Sequence, residues 1–203
     1  MLTQVDGPLL AEAFPSQYRP KSVEGGEAAA RLLHARQWTN RFAVRVGDEP
    51  VWIPARLHFS SEVPPLDRTE GAWGFVRALQ TRSNDGYQRQ RAARDILENL
   101  QPWGAPFIIA LLGEYVVQIL DDIAEELTAE NAQMLGGFIV QNEAYWQTTK
   151  RRVMSYWNVY YRSELGSNSR PKWVQDFRPR FKKRDYVGFS LIERLEAAAS
   201  GRS

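Results

Sequence analysis

Glu114, Asp121 and Glu125 follow one another at steps of seven and four, the spacing that puts side chains on one face of a helix. Three carboxylates in a row can serve general acid–base chemistry or hold a hard cation. The same spacing also describes an ordinary solvated stripe. Glu114 stands apart because it falls in the most apolar stretch of the chain, Ala105 to Leu120. A carboxylate buried there needs a cationic partner. Arg89 and Arg91 lie on the preceding helical segment, so the expected structural ion pairs fall among Arg89, Arg91, Glu114 and Asp121. His34 and His58 are the only histidines, and neither has metal-ligand spacing around it. Cysteine is absent, which excludes disulfides, thiolate zinc sites and cysteine nucleophiles. No serine sits in a nucleophile-elbow motif, and Gly25-Gly26 and Gly136-Gly137 lack the context of a phosphate loop. The expectation is no catalytic residue, no metal and no cofactor.

A second group of residues suits binding. Trp146, Val153, Trp157 and Tyr160 fall on one helical face and read as core. Arg151, Arg152, Tyr156 and Arg162 are left for the surface. Arg170, Lys172, Trp173, Arg178, Arg180, Lys182, Lys183 and Arg184 follow, with Pro171 and Pro179 against a continuous helix. Interleaved cations and aromatic rings suit single-stranded nucleic acid, where cations track phosphates and rings stack on bases. They suit a protein interface equally, where Trp, Tyr and Arg concentrate binding energy. A third reading is a half-buried aromatic helix with a solvated basic loop.

Charge is unevenly distributed. Residues 61–149 carry 6 Lys and Arg against 13 Asp and Glu, whereas residues 150–203 carry 13 against 5. An acidic body with a basic end either neutralises itself or meets an anionic partner. The stretch from Ala105 to Leu120 is interrupted by Glu114 and Gln118, and a membrane span needs roughly 20 apolar residues, so it reads as a core helix. No membrane association is expected, and the start of the chain lacks the basic and apolar regions of a signal peptide. These features suggest a soluble, cytoplasmic protein.

The elements that must position these residues are mostly helical. Residues 1–25 read as a flexible arm, and residues 26–203 as a single helical domain with a basic loop at 165–188. A helix is expected from near Glu27. Residues 41–59 read either as a hairpin around Gly47-Asp48-Glu49-Pro50 or as extended chain after a longer helix. Asp67 suits the cap of a helix carrying Trp73, Val76 and Leu79. Further helices are expected over 87–100, from Pro106 to Leu127, from Thr128 to Asn142, over 143–162 and over 189–199. The fold class is mainly α, a helical bundle or a short helical array, with a small N-terminal β-hairpin as one option.

Asp85, Arg89, Ala92, Ile96, Leu97, Pro106, Leu111 and Leu112 resemble the pattern of a HEAT repeat. The resemblance covers residues 85–112. It implies a helical hairpin in a binding scaffold and not an enzyme. The function expected is a non-enzymatic adaptor or protein-interaction module, with another protein as partner. The alternative is a nucleic-acid-binding accessory protein that uses the basic, aromatic C-terminal region. The oligomeric state is open.

Overall fold

In the computed structural model, residues 2–60, 71–162 and 181–201 are described. They form nine α-helices and two small antiparallel pairings of strands. The mainly α fold with a hairpin near the N-terminus is therefore observed.

The first departure from expectation is the N-terminal arm. Residues 2–25 are not a loose arm. Strand β1 (Thr3–Gln4) pairs with β2 (Trp38–Thr39), and α1 (Gly7–Ala11) starts at an Asp6 cap whose carboxylate accepts from the Leu9 N–H at 2.8 Å. Leu9, Leu10, Ala13 and Phe14 are buried, and the Phe14 ring meets Phe75, Trp103 and Phe107. Burying four apolar side chains outweighs the Pro, Gly and Ser content that suggested disorder. Helix α2 (Lys21–Arg31) begins six residues before Glu27 and packs on α1. Gly26 allows that approach, since a β-carbon there would lie 2.4 Å from the Gly7 carbonyl oxygen.

The hairpin is β3 (Arg41–Val46) and β4 (Glu49–Pro54), turned at Gly47 with φ of +62°. Phe42, Val44 and Val46 alternate inward with Val51 and Ile53. Trp52 N–H points away from β3 and donates to the Glu12 carbonyl at 2.9 Å. By the two-residue period of a strand, Pro50 and Pro54 place their missing N–H groups on that same outer side. The sequence therefore has prolines where the ladder needs no donor.

Then come α3 (Trp73–Gln80) and α4 (Gly86–Leu97), which Asp85 caps by accepting from the Tyr87 and Gln88 N–H groups. Asp67, the expected cap of the earlier helix, lies outside the described residues. The segment from Pro106 to Leu127 is not one helix. It divides into α5 (Ala105–Leu112) and α6 (Val117–Glu126). All eight residues of α5 are buried, so it runs through the middle of the core with α6, α7 (Ala129–Gln141) and α8 (Glu143–Tyr156) against it. Thr128 caps α7 as its position suggested. Asn142 interrupts the chain between α7 and α8. One π-helical turn, Trp157–Tyr161, extends α8, and α9 (Val187–Ala199) closes the fold against α6, α7 and α8. The π turn inserts an extra residue into the register. Tyr161 is therefore fully in the core, while Trp157 and Tyr160 are only half-buried. Within the expected basic loop, residues 181–188 hold a short 3-10 turn and the start of α9. No described helix is long and apolar enough to cross a membrane.

Candidate interaction surface at the α5–α6 break

The break between α5 and α6 turns two adjacent side chains in opposite directions. Glu114 points inward and is 5% exposed, and Tyr115 points outward and is 44% exposed. The helical period places Glu114 in a stripe with Asp121 and Glu125, and that stripe is broken here. Gly113 ends α5, and Val116 is extended at φ −93° and ψ 99° before α6 begins.

The reason lies in what Glu114 meets. Its Oε1 accepts from Arg56 Nη1 at 2.7 Å and Arg82 Nη1 at 3.2 Å, and its Oε2 lies 2.8 Å from Arg89 Nε. Arg82 also donates to the Pro54 and Ala55 carbonyls at 3.2 and 2.8 Å. Arg89 donates to the Ser83 and Asn84 carbonyls at 2.8 and 3.1 Å. One carboxylate thus ties the end of β4, the α3–α4 turn and the α5–α6 break to one point. Burial pushes the Arg82 guanidinium below its ordinary value; Glu114 opposes that shift, and the neighbouring Arg56 adds to it.

Of the four ion-pair candidates, the structure brings Arg89 and Glu114 together. Arg91 and Asp121 are exposed. Asp121 is held above the usual carboxylate range by partial desolvation and by Glu125 and Asp122. Asp122 is the buried acid of α6 and pairs with Arg94 at 2.7 Å. Sequence reasoning missed Arg56, Arg82, Arg94 and Asp122. Asp122 had a signal, its three-residue spacing from the core residue Ile119. Arg56 and Arg82 had none, because they lie in irregular chain where no period operates.

On the outer side, Tyr115 joins Tyr156 and Tyr160 in a triangle with ring centroids 5.8 to 6.0 Å apart. The Tyr161 hydroxyl donates to the Tyr115 carbonyl and fixes the break against the π turn. Arg151 and Arg152 are exposed on α8, and the Arg152 stem lies against Gly113. Arg162 is half-buried, over the Trp157 ring at 5.8 Å and donating to Asn158 Oδ1 at 3.1 Å. Phe181 N–H donates to the Tyr161 carbonyl at 2.8 Å, and Trp157 Nε1 donates to the Phe181 carbonyl at 3.2 Å. These bonds bring the exposed Lys182, Lys183 and Arg184 beside the π turn. Lys183 Nζ sits 5.3 Å from the Phe189 ring centre, and Arg184 Nε sits 3.4 Å from Asp185. Arg170, Lys172, Trp173, Arg178 and Arg180 lie outside the described residues. Across the break, Gly86, Tyr87, Gln90, Val116 and Gln118 line a cleft of about 290 Å³, with Tyr87 78% exposed. Tyr87 and Tyr115 were both absent from the surface read in the sequence.

Among the described residues, no group of three or more His, Asp or Glu side chains could hold a metal. No protein-family model, curated protein or solved structure matches the chain.

Proposed function

We propose that this chain is a non-enzymatic protein-interaction module, acting in the cytoplasm, whose binding face is the tyrosine triangle with its flanking cations. The observation that carries the reading is the juxtaposition of Tyr115, Tyr156 and Tyr160 with exposed Arg151, Arg152, Lys182, Lys183 and Arg184. Tyrosine and arginine are the residues that concentrate energy at protein interfaces. Positive charge around the rings selects an acidic partner and steers its approach. The binding-scaffold role implied by the HEAT-like pattern over 85–112 agrees with this reading.

Nucleic acid is the competing partner, and the fate of the aromatic rings weighs against it. Trp157 is committed to Phe181 and Phe189, and Tyr161 to Tyr186 and Phe181. Tyr161 is thereby buried and Trp157 half-buried, which takes both rings from a base-stacking surface. Of the three carboxylates whose spacing suited catalysis, Glu114 is engaged by three arginines, while Asp121 and Glu125 are exposed on α6.

The test is affinity capture from nuclease-treated lysate, followed by reconstitution of the purified pair. The expected partner is an acidic protein whose association rate falls as salt rises. Alanine at Tyr156 and Arg151 should weaken the pair by about tenfold or more, as loss of one anchor does. Capture that disappears with nuclease, together with oligonucleotide binding whose salt slope falls when Lys182 and Lys183 become alanine, would overturn the proposal.

A further inference from the structure

Strand β3 has an open stretch on the side away from β4. Trp52 N–H bonds Glu12 and not Ala43, so the facing residue Ala43 turns its own N–H and carbonyl outward, and Arg41 does the same two residues earlier. No described residue bonds these four backbone groups, and β1 pairs with β2 alone. The next outward residue, Arg45, differs, because the Asn142 side-chain amide holds both its N–H and its carbonyl. Asn142 is thereby lost as a cap for α8, whose first internal bond runs from the Trp146 N–H to the Asn142 carbonyl. The N–H groups of Glu143, Ala144 and Tyr145 are left uncapped. Between the open stretch and this helix end lies a cleft of about 280 Å³, whose lining includes Ala43, Arg45, Pro50, Asn142, Ala144 and Tyr145. The Arg45 guanidinium donates to the Asp48 carbonyl and pairs with no described acid. Glu143, the acid of this lining, turns along α8 to accept from Gln147.

We propose that this cleft takes the C-terminal end of an extended peptide, added as a strand beside β3. The peptide runs parallel to β3, pairs with Arg41 and Ala43, and stops where Asn142 fills the place of the next strand residue. Its terminal carboxylate then meets the uncapped N–H groups of α8, at the positive end of the helix dipole, with Arg45 beside them. Its last side chain is apolar, because Ala43, Pro50 and Ala144 line the space that receives it. A second copy of this chain is the wrong strand. Two β3 segments paired antiparallel about Ala43 would set Arg41 against Arg45 twice, and like charges directly opposite are destabilising. The site is independent of the tyrosine face, since Tyr156 lies about 16 Å further along α8 than Tyr145.

The test starts from random heptapeptides displayed with free C-termini and selected on the full chain. Selected peptides are synthesised with a terminal carboxylate and with a terminal amide, and binding is read by fluorescence anisotropy. The expected result is enrichment of peptides with an apolar last residue. Amidation should weaken them about tenfold or more, the loss of a charge-assisted contact. N-methylation at successive peptide nitrogens should weaken binding at alternate positions, the mark of strand pairing. Ala43→Pro removes an N–H that bonds nothing in the folded chain, so Tm should hold while binding falls roughly fivefold, the loss of one hydrogen bond. The N-methyl scan uses the native chain and decides the point whatever Ala43→Pro does to Tm. Peptide binding should survive Tyr156→Ala, which separates this site from the tyrosine face. Failure to enrich any peptide, equal binding of acid and amide, or N-methyl effects without alternation would overturn the site.

Discussion

At the residue scale, Glu114 is the side chain on which the interior turns. Glu114→Gln keeps the shape and removes the charge, leaving buried Arg82 and Arg89 without an anion. The expected cost is roughly 3–5 kcal/mol, the range for breaking a buried pair from one side. Urea unfolding reads it, and a midpoint shift near zero would mean that the backbone carbonyls alone satisfy the arginines. Tyr145 gives a pH test. Burial raises its hydroxyl from 10.0 to about 12, against the pull of Arg82 and Arg152. Between those values the folded chain keeps a proton the unfolded chain has lost, so stability falls as pH rises through the window. Tyr145→Phe should therefore show a shallower fall in unfolding free energy from pH 10 to 12. Some fall should remain, because burial raises the Tyr186 hydroxyl in the same direction. The need of Glu114 for an arginine was legible from its apolar setting, and Arg89 from its place on the preceding helix. Arg56 and Arg82 were not legible, because they arrive from loops through tertiary folding and obey no spacing.

At the element scale, two glycines make opposite predictions. Gly26→Ala drives a β-carbon to 2.4 Å from the Gly7 carbonyl and must part α1 from α2, at a cost of about 1–3 kcal/mol or more. Gly137 is exposed on α7 with nothing within 4 Å of a new β-carbon, so Gly137→Ala should stabilise by up to about 1 kcal/mol. Thermal unfolding of the two variants should move Tm in opposite directions. Caps and turns were the readable part of these elements. Thr128 and Gly47 each act where their chemistry placed them. The α5–α6 break was unreadable for the opposite reason, since Ile108 to Ile123 keeps a good helical period through it. Periodicity records which side faces the core, and the helix yields only because Glu114 has to reach three arginines from other elements. The tyrosine surface was half legible for the same reason: Tyr156 lay on a continuous helix, and Tyr115 on a bend the period hides.

At the scale of the whole molecule, the C-terminal region engages some of its own charges within the fold. Lys150 reaches Glu196 at 2.7 Å, and Arg194 donates to the Ala124 and Leu127 carbonyls at the end of α6. Lys182, Lys183 and Arg184 remain outward, which is why charge counting alone could not choose between self-neutralisation and a partner. The N-terminal segment is the other whole-molecule lesson. Low periodicity hid an α1 that completes the core, so deletion of residues 2–19 should expose the pocket of Phe75, Trp103 and Phe107 that Phe14 fills. Binding of a hydrophobic dye together with loss of a cooperative transition is the expected result, and an unchanged unfolding curve would return those residues to the status of an arm.

Asn142 has a consequence beyond stability. Its side-chain amide accepts from the Arg45 N–H at 2.7 Å and donates to the Arg45 carbonyl at 2.9 Å, so it meets both outward hydrogen-bonding groups of one β3 residue as a neighbouring strand would. A bare strand edge is a template for another chain, and a two-stranded ribbon has such an edge on each side. One side of this ribbon is covered at Trp52 by the Glu12 carbonyl, and the other at Arg45 by Asn142. Replacing Asn142 with alanine should thus do more than loosen the hairpin. It should convert β3 into a seed for aggregation, seen as concentration-dependent light scattering under conditions in which the native chain stays clear.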